Sequence, residues 1–124
     1  MELIKIEPTY KSPMVELNPE GSMTIRGRSI IEDPITFYKR ILDWIPKCKS
    51  KSFSIEVQFE YLNTFSTGVF LNLLKKIKYY YNSNNLTISW YYEEDDDDML
   101  ELGQNIESLI DVSVNFYETS EKVS

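Results

Sequence analysis

The sequence of 124 residues contains no histidine and only one cysteine, Cys48. Without histidine, neither a Ser-His-Asp nor a Cys-His hydrolase can be assembled, and a histidine-ligated zinc site is excluded as well. A single cysteine cannot form an internal disulfide, which fits a reducing compartment. Cys48 lies among lysines, and we interpret it as an exposed loop residue without a catalytic role. These absences make a binding protein a better expectation than an enzyme.

Long apolar runs and phosphate-binding glycine motifs are also missing. No segment reaches the roughly 18 consecutive apolar residues of a membrane helix, and residues 1–8 lack the apolar core of a signal peptide. We therefore predict a cytoplasmic protein with no membrane partner. The four glycines form neither a GxGxxG nor a Walker motif. Arg26 and Arg28 could hold an anion, but an ordinary loop is the simpler interpretation.

The charge is distributed unevenly along the chain. The net charge is -7, and residues 93–124 hold 11 of the 20 acidic side chains but only one of the 13 basic ones. Nucleic-acid-binding proteins carry a basic surface, so no nucleic-acid partner is expected. Six consecutive carboxylates at 93–98 cannot all converge on one ion, and calcium loops space their ligands around a glycine. We predict no metal site and no cofactor.

Apolar periodicity and turn residues predict an alternation of strands and helices. Asp33 and Pro34 have the residue types of a helix start, and Pro46 ends that helix. A second helix follows the turn at 62–67, and the acidic run begins a third with Met99, Leu102, Ile106 and Leu109 facing inward. The predicted strands are 3–6, 14–17, 23–25, 54–61, 86–92 and 112–117.

This order predicts an α/β fold, a two-layer domain with a mixed sheet. Strands linked through helices are usually parallel, and parallel strands covered on both faces are apolar throughout. Here the strands at 54–61 and 86–92 alternate between apolar and polar residues. We therefore expect the helices to pack mainly on one face, leaving the other face, with Tyr91, partly open. Residues 1–117 are predicted to form the single domain, and residues 118–124 a polar tail.

The junction between the strand at 54–61 and the following helix holds the most informative residues. The strand is apolar at every odd position, which places Tyr61 on the inner face, and the turn after it contains Asn63, Thr64, Ser66 and Thr67. A helix N-terminus presents free backbone N–H groups and the positive end of its dipole, which stabilise a phosphate. Thr64 is thus a candidate phosphorylation site. Asn, Ser and Thr are also ordinary N-cap residues, so helix capping without any regulation is the alternative explanation.

Several stretches resemble the SiaC family of bacterial regulatory phosphoproteins, which have a STAS-like fold related to anti-sigma-factor antagonists. The resemblance covers roughly residues 10–117. Phe65 and Ile31 depart from the family pattern, where a small hydroxyl residue and a proline are common. The stretches that resemble the family are Gly27-Arg28-Ser29 with Glu32, Phe37-Tyr38 with Trp44, Phe59-Glu60-Tyr61-Leu62-Asn63-Thr64-x-Ser66, and Trp90-x-Tyr92-Glu93-Glu94-Asp95-Asp96-x-Asp98-Met99.

The resemblance implies a regulatory protein without enzymatic activity, phosphorylated on Thr64. The implied partners are a dedicated kinase with a histidine-kinase-like ATPase fold, a PPM-type phosphatase, and an effector such as a diguanylate cyclase, bound by the unphosphorylated form. We expect the partner-binding residues to be Asn63, Phe65, Ser66, Thr67, Tyr92, Glu93, Glu94, Asp95 and Asp96. A second hypothesis is a constitutive adaptor that docks through the acidic helix start at 93–98 without any modification.

Overall fold

The computed structural model describes residues 2–120, which form six strands and three α-helices. The strands are β1 (Ile4–Ile6), β2 (Met14–Asn18), β3 (Ser22–Ser29), β4 (Phe53–Leu62), β5 (Leu86–Glu93) and β6 (Val114–Thr119). The helices are α1 (Pro34–Trp44), α2 (Thr64–Tyr80) and α3 (Asp97–Ile110), with short 3-10 helices at Ile45–Lys47 and Ser83–Asn85. None of these helices is long and apolar enough to cross a membrane.

The six strands lie in one mixed sheet in the order in which they occur along the chain. β1, β2 and β3 are antiparallel, whereas β3, β4, β5 and β6 are parallel neighbours. The β2–β3 hairpin turns at Gly21, whose φ of 117° is one that L side chains rarely adopt. The Gly21 N–H donates to the Asn18 carbonyl at 2.9 Å and closes the turn. The predicted mixed sheet is confirmed.

The helices form one layer because each parallel crossover advances by one strand in the same direction. Crossovers are right-handed, so helices that connect strands in this constant order cover the same face of the sheet. α1 packs against α2, and α2 packs against α3. The core lies between this layer and the sheet. Its fully buried large side chains include Tyr38 of α1, Phe70 of α2 and Trp90 of β5.

A β-bulge interrupts the alternation of β4 just before the strand ends. Gly27 of β3 pairs with Phe59, but the next residue, Arg28, pairs with Tyr61, so Glu60 is the extra residue. A bulge of this kind shifts the faces of the residues that follow it. Tyr61 is therefore 56% exposed and Leu62 is buried, which corrects the inward position that strict alternation predicted for Tyr61.

Two further sequence predictions about the core are wrong. Leu109 is 62% exposed, and Ile110 is buried instead, because α3 begins at Asp97 and its buried face runs through Met99, Gly103, Ile106 and Ile110. Cys48 is buried rather than exposed. Its Sγ lies 3.5 Å from the Pro19 carbonyl oxygen and 3.4 Å from Ser50 Oγ, because the loop packs against the β2–β3 hairpin.

The predicted element boundaries differ at β3, at α2 and at the C-terminus. β3 was predicted as 23–25 and runs from Ser22 to Ser29. α2 begins at Thr64, inside the segment 62–67 that was predicted to be a turn. β6 ends at Thr119 and includes two residues of the predicted polar tail. Of the rest of that tail, Ser120 is described, and residues 121–124 lie outside the described residues.

Candidate functional site

The turn between β4 and α2 is organised by the side chain and backbone of Asn63. Its Oδ1 accepts a hydrogen bond from the Ser66 N–H at 2.8 Å, which makes Asn63 the N-cap of α2. Its carbonyl accepts from the Thr67 N–H and from the Thr67 hydroxyl, both at 2.9 Å. Its N–H donates to the Ser29 carbonyl at the end of β3, at 3.0 Å. Hydrogen bonds therefore fix the N–H, the carbonyl and the side chain of Asn63.

Thr64 is the first residue of α2, and its side chain is exposed. Its hydroxyl forms no hydrogen bond within the described part of the chain. The first hydrogen bond of the helix uses the Thr67 N–H, so the amides of Thr64 and Phe65 have no helical acceptor. An exposed hydroxyl beside free amides and the positive end of a helix dipole can carry a phosphate.

Ser66 has a different environment from Thr64, although only two residues separate them. It is fully buried, and its Oγ accepts a hydrogen bond from the Ser29 hydroxyl at 2.9 Å. Ser29 Oγ accepts in turn from the Tyr38 hydroxyl at 2.8 Å. Burial raises the pKa of Tyr38 well above its ordinary value, so the phenol remains a donor. Because it is buried, Ser66 cannot contact a partner, which corrects its assignment to the partner-binding set.

The acidic segment follows β5 at the same edge of the sheet. β4 and β5 are parallel, so the Thr64 turn and residues 93–96 both lie at the carboxyl edge. Glu93 is the last residue of β5, and the Asp96 carboxylate caps α3 by accepting from the Met99 N–H at 3.0 Å. Glu94 and Asp95 are exposed, whereas Tyr92 is half-buried against the core.

Apart from Asp96, which caps α3, the carboxylates of positions 93–98 are available to a cationic partner. Across residues 2–120, no carboxylate of positions 93–98 forms an ion pair with a lysine or arginine. In the same range, no three potential metal-ligating residues come together as a metal site. The structure therefore places an unneutralised acidic surface on the edge that carries Thr64.

Arg28 and Glu60 form an ion pair that sequence reasoning missed. Arg28 lies in β3, not in a loop, and its Nε and Nη2 donate to the two carboxylate oxygens of Glu60 at 2.8 and 3.3 Å. The Tyr10 ring covers the guanidinium with its centroid 4.8 Å away. The hydrogen bond to Glu60 raises the pKa of Arg28. This pairing neutralises Arg28, one of the two arginines that had been considered as anion ligands.

Tyr38 and Ser29 belong to the stretches that resemble the family, but the sequence did not predict that Ser29 bonds to the Thr64 turn or that Tyr38 donates to Ser29. The available signal was the position of Ser29, a polar residue on the otherwise apolar face of β3. A buried hydroxyl needs a hydrogen-bonding partner. That partner lies 37 positions away in the sequence, so it could not be identified from the local pattern.

Comparisons with known proteins agree with this architecture. The family model described as "SiaC family regulatory phosphoprotein" matches residues 6–119. No curated protein sequence matches the chain. Among solved structures, the chain is similar to one in the crystal structure of the diguanylate cyclase SiaD in complex with its activator SiaC from Pseudomonas aeruginosa. That similarity has a TM-score of 0.84 and 16% identity, and covers 94% of this chain and 99% of that one.

Two further structures of Pseudomonas aeruginosa SiaC have the same fold. One gives a TM-score of 0.77 at 19% identity and covers 96% of this chain and 100% of that chain. The other, of apo-SiaC, gives a TM-score of 0.75 at 21% identity and covers 96% and 99% of the two chains. At these identities the structures show the fold alone, whereas the family model shows membership of a protein family.

Proposed function

Because the chain belongs to the SiaC family of regulatory phosphoproteins, we propose that it is a partner-switching protein controlled by reversible phosphorylation of Thr64. The unphosphorylated form binds and regulates an effector, such as a diguanylate cyclase. A kinase with a histidine-kinase-like ATPase fold adds the phosphate, and a PPM-type phosphatase removes it. The protein itself catalyses no reaction and works in the cytoplasm.

The observation that supports this proposal is that the three hydroxyl residues of the turn differ in burial and hydrogen bonding. Ser66 is buried, and the Thr67 hydroxyl donates to the Asn63 carbonyl. Thr64 is exposed, and its hydroxyl has no hydrogen-bonding partner in residues 2–120. A kinase can therefore reach Thr64 without unfolding the turn, whereas a phosphate on Ser66 would have to displace the core.

Phosphorylation would change the surface of the protein and leave its fold intact. A phosphate adds about -1.5 to -2 charges, which the N-terminus of α2 tolerates. An effector that buried the same surface would have to accommodate a dianion beside the acidic segment. Each 1.4 kcal/mol of unfavourable interaction weakens binding about tenfold, so a few kcal/mol would release the effector.

The proposed contact surface lies on the carboxyl edge of the sheet. It comprises Thr64 with half-exposed Phe65, and the loop after β5. Aromatic side chains such as Phe are enriched in protein interfaces relative to the rest of the surface. The residues assigned to this surface are Asn63, Phe65, Thr67, Tyr92, Glu93, Glu94, Asp95 and Asp96.

The test is phosphosite mass spectrometry on the protein purified from its native host, with quantification of the proteins that copurify. We expect a phosphopeptide containing Thr64 that is lost in Thr64→Ala. Thr64→Ala should retain its partner, and Thr64→Glu should lose most of it. Thr87→Ala is the matched control, because it removes another exposed threonine hydroxyl, at the amino end of β5 and away from the proposed surface, and should keep both phosphorylation and regulated binding. Equal recovery of the partner with Thr64→Ala and Thr64→Glu would overturn the switch.

The second candidate function is a constitutive adaptor that docks through the acidic segment 93–98. The observation in its favour is the absence of ion pairs to these carboxylates in the described chain. In that case, replacing the exposed Asp95, Asp97 and Asp98 by Asn should abolish binding, and 0.5 M salt should weaken it strongly, because exposed charges are screened over about 10 Å or less. The Thr64 variants should then bind equally well.

A further inference from the structure

A chain of buried hydroxyl groups joins three elements behind the Thr64 turn. Tyr38 of α1 donates to Ser29 at the end of β3, and Ser29 donates to Ser66 of α2, at 2.8 and 2.9 Å. All three residues have no exposed surface. Buried polar groups are stabilised only when they are hydrogen-bonded, so each member of the chain depends on its neighbour.

Ser29 holds the turn on both sides of Thr64. Its carbonyl accepts from the Asn63 N–H at 3.0 Å, and its hydroxyl donates to Ser66 Oγ at 2.9 Å. Asn63 precedes Thr64, and Ser66 follows it by two positions. The residues on either side of exposed Thr64, Asn63 and Ser66, are thus both hydrogen-bonded to Ser29 of the sheet. Tyr38 fixes the direction of the Ser29 hydroxyl from the helix side.

We propose that Tyr38, Ser29 and Ser66 are positioning residues for phosphorylation, which hold the first turn of α2 so that the Thr64 hydroxyl is presented in one geometry. This inference rests on the proposed function. Phosphoryl transfer needs the acceptor oxygen aligned with the phosphate, and small misplacements reduce the rate strongly. A turn fixed before the kinase binds also avoids ordering the segment on association.

The chain offers a matched pair of variants for the test. Tyr38→Phe removes the hydroxyl at the start of the buried chain. Tyr81→Phe is the control, since Tyr81 is also buried and its hydroxyl lies 3.1 Å from Ser50 Oγ, but at the opposite end of α2. Each substitution deletes one hydroxyl hydrogen bonded to a serine. Only the first affects the Thr64 turn.

The first readout is amide hydrogen exchange, followed by mass spectrometry of peptides that cover the start of α2. One lost hydrogen bond of typical strength corresponds to about fivefold faster local exchange. We expect that change at Ser66 and Thr67 in Tyr38→Phe and not in Tyr81→Phe. Equal exchange in the two variants would overturn the inference and leave the proposed phosphorylation untouched. If Tyr38→Phe does not fold, Ser66→Ala provides the same comparison.

The second readout separates positioning from mere stability. Phosphorylated Thr64 is quantified in wild type and both variants expressed in the native host, and the free energy of unfolding is measured for each. We expect several-fold less phosphorylation in Tyr38→Phe than in Tyr81→Phe, a difference larger than the two free energies of unfolding account for. Equal phosphorylation despite faster local exchange would make the hydroxyl chain purely structural. Wild-type protein without any phosphate on Thr64 would overturn the proposed function, and the inference with it.

Discussion

Gly68 and Gly103 lie inside helices, and alanine substitutions at the two positions should change stability in opposite directions. Gly68 is exposed in α2, and a Cβ there would meet no atom within 4 Å. Gly103 is buried in α3, where a Cβ would lie 2.7 Å from Trp90 Nε1 and 2.8 Å from Phe116 Cε1. Helix propensity alone favours alanine by about 1 kcal/mol at both positions.

The steric conflict decides the sign at Gly103. Overpacking a core position typically costs about 1–3 kcal/mol. The displaced indole also donates to the Met99 carbonyl at 3.0 Å, and a lost hydrogen bond costs about 1 kcal/mol more. After the propensity gain is subtracted, Gly103→Ala should lose about 1–3 kcal/mol, whereas Gly68→Ala should gain about 0.5–1 kcal/mol.

The assay is urea unfolding followed by far-UV circular dichroism, because Trp90 lies at the contact and its fluorescence would change for local reasons. With a slope of about 2 kcal/mol per molar urea, the unfolding midpoints of the two variants should differ by about 1–2 M. A Gly103→Ala protein as stable as Gly68→Ala would refute the reasoning, because it would mean that α3 can move away from Trp90 at little cost. The acidic segment would then be loosely placed.

Two further predictions concern the residue that caps α1 and a glycine within β3. The Asp33 carboxylate accepts hydrogen bonds from the Thr36 hydroxyl and N–H, at 2.6 and 3.2 Å, and these lower the pKa of Asp33. Its contribution to stability is therefore complete above the unfolded-state pKa of about 3.9 and is lost as the pH falls through the lowered folded-state value. The difference in urea midpoint between wild type and Asp33→Ala should be clear at pH 7 and vanish in strong acid; a difference independent of pH contradicts this. Gly27 has a φ of 117°, and a Cβ there would lie no closer than 3.6 Å to Pro13. Gly27→Ala should thus lose about 1–3 kcal/mol through backbone strain alone, measured by the same unfolding assay, and an unchanged midpoint would show that β3 relaxes.

The sequence predicted what depends on local patterns. The order of strands and helices follows from periodicity and turn residues, and the helix start at Pro34 follows from residue types at adjacent positions. The mixed sheet could be predicted because the strands at 54–61 and 86–92 alternate between apolar and polar residues within an α/β order. Thr64 could be proposed on physical grounds only as a cap or an acceptor, and the family motifs favoured the acceptor.

The errors concern contacts between distant residues. The outward position of Tyr61 results from the extra residue Glu60, which is defined by pairing with β3 more than thirty positions earlier. The burial of Ser66 depends on hydroxyl groups from β3 and α1. Cys48 is buried because its loop packs on a hairpin, although the lysines beside it are exposed. No local pattern contains these partners.

The uniform direction of the crossovers has a consequence for the kind of molecule this protein can recognise. In open α/β sheets, small ligands bind in the crevice that forms where two neighbouring crossovers leave toward opposite faces. Strands β3 to β6 follow one another without such a reversal, so no crevice of this origin opens between their carboxyl ends. Those ends instead present a row of adjacent turns, a surface that another protein can cover. The proposed phosphate on Thr64 would lie within that surface and oppose its burial.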